Sequence, residues 1–184
     1  MSVVDLAAYL PNRNPAVPVP DFKSAMRSLA GAVSVITLGK GPSRTGFTAT
    51  SVSSFSTEPP TLLVSLNMGS SSWAALRDEG AFAVNILAHD QAAVADRFAG
   101  RGGIRGNDRY VGWEWSRLET GTLGLDDAVA VIDCELDEAI ERHTHAILLG
   151  RVRGVKVSPA RQPLLYWSGA YQVLKPGQEG SSAR

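Results

Sequence analysis

GFTATSVSSFSTEPPTLLVSLNMGSSS, residues 46–72, is the stretch whose reading decides the fold. Eight of the ten residues from Thr48 to Thr57 are Ser, Thr or Val, and hydroxyls alternate there with β-branched or aromatic side chains at the period of a strand. Such a strand carries a row of small donors on one face. A planar ligand can lie close to that backbone while exposed N–H and C=O groups reach its polar edge. The same composition also suits an edge strand whose serines face water. Pro59-Pro60 makes a corner, and TLLVSLN (61–67) is nearly all apolar, which predicts a strand buried on both faces. Ser70, Ser71 and Ser72 then open a short helix, SSSWAALRDEG (70–80), that Gly80 ends.

Upstream, Pro11, Pro15, Pro18 and Pro20 exclude regular helix or central strand, so residues 1–20 read as an arm. Asp21 is the expected N-cap of a helix, DFKSAMRSLAG, with Phe22, Ala25, Met26 and Leu29 on one face lying on a barrel and Gly31 closing it. VSVITL (33–38) is a predicted strand. Downstream come a buried strand, AFAVNIL (81–87), and a helix in HDQAAVADRFAG capped by Asp90 and ended by Gly100. RGGIRGNDRYVG (101–112), rich in glycine and carrying three arginines, reads as a mobile surface loop. The last third is strand-rich: 113–119, 128–143, 145–158 and 164–174, before a polar tail, 176–184. Six or seven strands with two or three helices among them predict a mainly β, antiparallel barrel in one domain, residues 21–175, rather than alternating βαβ units.

Eighteen basic residues balance eighteen acidic ones in 184 residues. No net field draws the chain to nucleic acid or to an anionic membrane, so an anionic ligand must be held by local groups. The absence of a long apolar run or a signal-like start makes the cytoplasm the expected compartment. Cys134 is single and sits in an apolar run, which predicts a buried thiol. The glycine-rich segments miss the dinucleotide and phosphate-loop spacings, and no G-x-S-x-G elbow is present. His143 and His145, two apart, would share a strand face, but they lack the partners of a metal site, and none is expected.

FKSAMRSLAGAVSVITL, GFTATSVSSFSTEPPTLLVSLN, SSSWAALRDEGAFAVNIL, HAILLGRVRG and PLLYWSGAYQVL, in that order from Phe22 to Leu174, closely resemble the short-chain flavin reductase family. The resemblance implies an FMN-binding split β-barrel with Greek-key strands and a few peripheral helices. It also implies a homodimer, reduction of FMN or FAD by NADH or NADPH, and a separate flavin-dependent oxygenase as partner. Thr48, Ala49, Thr50, Ser51, Val52 and Ser53 match the strand along the flavin ring, in agreement with the hydroxyl row. Asn67 matches a position bordering the flavin, and Ser70, Ser71 and Ser72 match its phosphate end, where hydroxyls and the free N–H groups of a helix start attract an anion. A simple N-cap is the other reading of these serines. His145, five residues before Gly150, matches a histidine of the nicotinamide pocket and is expected to orient the nicotinamide; the family's usual acidic residue before it is Thr144 here. Arg97, Phe98 and Tyr171 match residues near the cofactor, with core packing as the alternative. Ser168 stands where many relatives carry a basic residue. The arginines of the 101–112 loop could meet a 2′-phosphate. Two other functions share this barrel: a non-catalytic flavin or haem carrier, and a pyridoxamine-phosphate type oxidase, which would need a basic phosphate clamp that Ser70–Ser72 do not supply.

Overall fold

The computed structural model describes residues 17–174. A seven-stranded, wholly antiparallel sheet forms its body. In chain order its strands are β2 (Ser34–Leu38), β3 (Thr45–Ala49), β4 (Val52–Thr57), β5 (Pro60–Asn67), β6 (Ala81–Ile86), β9 (Ala130–Arg142) and β10 (His145–Val157). Spatially they run β3-β2-β6-β9-β10-β5-β4. The two edge strands are therefore consecutive in sequence, joined only by Thr50 and Ser51. Two residues span at most about 7 Å, so the sheet must curl until its edges meet. The result is a barrel with one seam, between β3 and β4, closed by no ladder. This is a split β-barrel.

Burial explains why the apolar runs form these strands. All five residues of β2 are buried, and the strand feeds two cores: Val35, with Val33 just before the strand, packs with Leu87, Phe98, Leu125 and Leu164, while Ile36 and Leu38 pack with Leu66, Phe82, Val84 and Leu148. Asn85 is fully buried between them; its side-chain amide donates to the Val35 carbonyl at 2.9 Å and its oxygen accepts the Leu125 N–H at 2.7 Å. Such pairing makes a buried amide tolerable. β5 is not buried throughout: Thr61, Val64 and Leu66 are buried, whereas Leu62, Leu63 and Ser65 are half-buried.

Among the described residues three α-helices decorate the barrel: α1 (Val19–Met26), α2 (Ser71–Glu79) and α3 (Ala92–Phe98). α2 matches the sequence reading, with Ser70 as N-cap accepting the Ser72 N–H at 3.2 Å and Gly80 left-handed at its end. α1 does not: it starts before Asp21, its N-cap is Pro18, and none of its residues is buried. Gly31, expected to end it, begins β1 (Gly31–Ala32), which pairs with β11 (Leu164–Trp167). The N-cap position of α3 is Gln91, not Asp90, and its side chain makes no capping bond to the helix; it accepts the Ala88 N–H at 2.8 Å instead.

Three further expectations are corrected. The single strand 48–57 is two strands, broken at the seam. Residues 164–174 form a hairpin, β11 and β12 (Ala170–Val173), turning at Ser168 and Gly169, both with positive φ. His143 lies in the β9–β10 turn with φ 54°, so it shares no strand face with His145. β7 (Trp115–Arg117) and β8 (Leu123–Leu125) make a small separate ribbon. No helix among the described residues is long and apolar enough to cross a membrane. The expected arm, apart from residues 17–20, and the expected tail lie outside the described residues.

Candidate active site

Thr50 and Ser51, at the seam, take no backbone hydrogen bond among the described residues, and both are exposed. Backbone N–H and C=O groups left open in this way need water or a ligand as partner. The Ser51 hydroxyl ties the corner to β5, donating to the Ser65 carbonyl at 3.2 Å and accepting the Ser65 N–H at 3.3 Å.

Three depressions follow the seam. The first, of about 510 Å³, separates α1 from the corner and is lined by Thr50, Val52, Tyr166 and Gly169 among others. The second, of about 200 Å³, is lined by Thr48, Thr50, Ala99, Arg101, Tyr166 and Tyr171. The third, of about 540 Å³, is lined by Ser70, Ser71, Gly100, Ile104, Arg105 and Arg109. The first two share Thr50 and Tyr166, and the second and third adjoin at the consecutive residues Ala99 and Gly100. Taken together, and called the groove below, these depressions lead from Thr50 at the open corner to Ser70 and Ser71 at the start of α2.

Local packing fixes the groove's walls. Thr48 donates its hydroxyl to the Ala95 carbonyl at 2.6 Å, which seats α3 on β3. Gly46 permits this approach, since a Cβ there would stand 2.4 Å from the Ile36 carbonyl oxygen and 2.7 Å from the Phe98 ring. Tyr166 and Tyr171 meet edge to face, 5.7 Å apart. Tyr171 donates to Asp96 at 2.7 Å, and Arg101 pairs with the same carboxylate at 3.0 Å. Burial first, and then the bond to Asp96, push the Tyr171 hydroxyl up to about 12.

His145 opens β10, opposite Asn67 on one side and Arg142 on the other. Its Nδ1 lies 2.8 Å from the Thr144 hydroxyl, while the Thr144 carbonyl accepts the Met68 N–H at 3.0 Å. Thr144, which stands where the resemblance has an acidic residue, is thus the hydrogen-bond partner of the His145 ring. Asn67 shapes the next turn, accepting the Gly69 N–H on its side chain at 2.9 Å.

The groove brings together Thr48, Thr50, Val52, Ser70, Ser71 and Tyr171 of the residues singled out from sequence. Ser51 and Ser53 are exposed beside it on the same corner and strand. Asn67 and His145 form an exposed pair at the ends of β5 and β10 and line none of the three depressions. Ala49 is 9% exposed and Ser72 fully buried against Thr45. Phe98 is 1% exposed, inside an aromatic cluster with Tyr110 and Trp115. Arg97 lies over the Trp113 ring at 4.6 Å and donates to the Val111 carbonyl. In this structure Phe98 and Arg97 do structural work, because the loop after α3 is anchored rather than mobile: Tyr110 is buried and donates to the Thr45 carbonyl at 2.6 Å. The aromatic signal YVGWEW (110–115) carried that information. Tyr166, Arg101, Arg105 and Arg109 are groove residues that sequence reasoning did not place at the flavin.

The donor set fits a flavin: open backbone amides at the corner, two tyrosines beside them, and a hydroxyl- and guanidinium-lined cleft of phosphate type at the other end. Among the described residues no three His, Cys, Asp or Glu gather as a metal site.

Fold and groove together define a flavin-handling split barrel, and the chain belongs to the flavin reductase like domain family, which it matches over residues 26–175. It is 36% identical over 160 residues to the FMN reductase (NADH) RutF of Variovorax paradoxus, covering 87% of this chain and 88% of that one. Its fold superimposes with a TM-score of 0.80 on BorF, the flavin reductase component of a bacterial two-component tryptophan halogenase, at 30% identity over 87% of this chain and all of that one. The Streptomyces globisporus NADH:FAD oxidoreductase SgcE6, in complex with NAD and FAD fragments, gives 0.80 at 26% identity, covering 90% and 100%.

Proposed function

We propose that the groove from Thr50 to Ser71 is where flavin and nicotinamide meet in this chain, an NAD(P)H-dependent flavin reductase. The open N–H and C=O groups of Thr50 and Ser51 carry this reading, since they offer donors and acceptors in the alternation that a heterocycle's polar edge requires. Bound flavin supplies the ring nitrogen that accepts hydride from the nicotinamide. The chain's own part is binding and orientation, because hydride transfer needs no general base. Thr48, Thr50, Ser51 and Val52 hold the ring region, with Ala49 and Ser53 as their strand neighbours. Ser70 and Ser71 face the phosphate, with Ser72 fixing the helix start. His145 orients the nicotinamide as it arrives, and Asn67, its cross-strand neighbour at the sheet end, borders the flavin. FMN or FAD, and NADH or NADPH, remain the ligand pairs.

The groove is shallow, which suits a flavin that leaves after reduction for a separate flavin-dependent oxygenase. α1 exposes Phe22 and Met26 beside the first depression, and Leu29, which follows the helix, and Trp167 are also exposed. Such apolar surface favours a second copy of the chain, so the working unit is read as a homodimer, in the cytoplasm. Mixing the purified protein with NADH or NADPH and FMN or FAD tests the activity. Nicotinamide oxidation is expected only with flavin present; no flavin-dependent turnover with either nucleotide would remove the assignment.

A further inference from the structure

Asp96 sits where its own helix gains nothing from it. It lies in the last turn of α3, at the negative end of the helix dipole, where a carboxylate is unfavourable. Its partners come from other parts of the chain. Oδ1 accepts the Tyr171 hydroxyl of β12 at 2.7 Å and pairs with Arg101 Nη1, just past the helix, at 3.0 Å. One oxygen thus joins α3, the segment after it and the C-terminal hairpin. Arg101 pairs with no other carboxylate among the described residues.

Arg101 and Tyr171 line the second depression together with Thr48 and Thr50, and Arg101 is the one charged residue of that lining among the described residues. β3, β11 and β12 contribute no charge, and Arg97, the other charged residue of α3, is turned onto the Trp113 ring. Burial, and then the bond to Asp96, push the Tyr171 hydroxyl up to about 12, so it stays a neutral donor. A guanidinium, a carboxylate and a neutral phenol therefore meet at the edge of the ring site, and their charges cancel. Hydride carries a proton and an electron pair. A neutral flavin ring that takes it at nitrogen becomes an anion, and the nicotinamide that gives it up becomes a cation. A lone guanidinium at the ring site would hold that anion more tightly than the neutral ring and would oppose its departure.

We propose that Asp96 is a positioning residue that holds Arg101 at the ring site and cancels its charge, so that the anionic reduced ring is bound no more tightly than the neutral oxidised one and is free to leave. The inference rests on the flavin reading above and adds how the product is let go. Lys23 and Arg27 line the neighbouring first depression and are the same in every variant compared below.

The test is the affinity of the full chain for oxidised and for dithionite-reduced FMN and FAD, measured by anaerobic ultrafiltration in mildly alkaline buffer, where the reduced ring is an anion. Wild type, Asp96→Asn, Arg101→Gln and the double variant are compared by the ratio of reduced to oxidised affinity, in which contacts to the phosphate and the ribityl chain cancel. Wild type is expected to hold the two forms within about threefold of each other. The Arg101 side chain is 64% exposed, so water screens its charge and the shifts are modest. Asp96→Asn is expected to move the ratio about fivefold toward reduced flavin, and Arg101→Gln about as far toward oxidised flavin. The double variant, neutral again, is expected to return to within about twofold of wild type. Damage to the groove wall would instead weaken both forms alike. A wild type that prefers the reduced form about tenfold, single variants that shift the ratio in the same direction or leave it unchanged, or a double variant that does not return would overturn the charge-cancelling role and leave the groove standing. Asp96→Asn keeps an oxygen for the Tyr171 hydroxyl; should it not fold, the exposed Arg101→Gln decides alone by the direction of its shift. Failure of wild type to bind either flavin in either form would overturn the flavin reading as well.

Discussion

Replacing Phe98 by alanine separates a core role from a cofactor role at a position where the sequence allowed either. The ring is 1% exposed, 5.2 Å from Tyr110 and 5.7 Å from Trp115, and it packs over Gly46. Removing it takes about 2 kcal/mol of apolar transfer energy, and a residual cavity of roughly 100 Å³ at about 24 cal/mol per Å³ adds about 2.4 kcal/mol. The sum, about 4 kcal/mol, lies within the usual span for this substitution. For a domain of this size each kcal/mol moves Tm by about 2–4 °C, so a fall of roughly 8–16 °C is expected. Thermal and urea unfolding followed by circular dichroism measure the loss, and flavin titration at low temperature measures binding by the fraction still folded. Affinity per folded molecule is expected to change less than about threefold. A variant of near wild-type stability that bound flavin ten times more weakly would refute the placement of Phe98 in the core.

Other substitutions read other parts of the molecule. A Cβ at Gly150 would stand 2.4 Å from Phe82 Cζ and 3.0 Å from Cys134 Cβ, so Gly150→Ala is expected to cost about 1–3 kcal/mol by overpacking, measured by urea unfolding. His145→Ala is expected to raise KM for the nicotinamide nucleotide and slow turnover while the flavin dissociation constant stays nearly constant; a large loss of flavin affinity would count against an orienting role. Tyr171 titrates at about 12 when folded, against 10.0 for the free group. Its contribution to stability is therefore complete below about pH 10 and lost as pH rises through about 12, because the unfolded chain releases that proton first. The stability difference between wild type and Tyr171→Phe should shrink over that interval, and a constant difference would show the hydroxyl to be unperturbed.

Much of the barrel was legible because burial imposes a pattern. AFAVNIL and the long runs beginning at Ala130 and His145 are apolar where the sheet is covered, and they form strands close to the expected bounds. The ends of α2 were legible because Ser70 and Gly80 act through local chemistry that needs no partner from elsewhere. The break at Thr50 and Ser51 was not, since the alternation of hydroxyls and β-branched residues runs straight through it; only closure of the barrel makes these residues a junction. Asp90 was misread for a related reason. A carboxylate at a suitable sequence position is engaged by Arg161, at 2.5 and 2.7 Å, and the helix starts one residue later, with Gln91 at the N-cap position. The loop arginines looked like solvated surface because their neighbours are glycines, and the burial of Arg109 depends on β3 passing beneath it. Of the candidate site, the hydroxyl-bearing residues Thr48, Thr50, Ser70 and Ser71 were visible in advance, whereas the loop arginines were read as partners for a nucleotide 2′-phosphate and Tyr166 was not singled out.

An unlaced margin also governs how the barrel breathes. The partnership of β9 and β10, each 13 residues long, must break many ladder bonds to open, whereas parting β3 from β4 breaks none. Amide protons at Thr50 and Ser51 should accordingly trade with deuterium while those of β9 and β10 stay protected, and a flat guest can slip in and out there without unfolding its host.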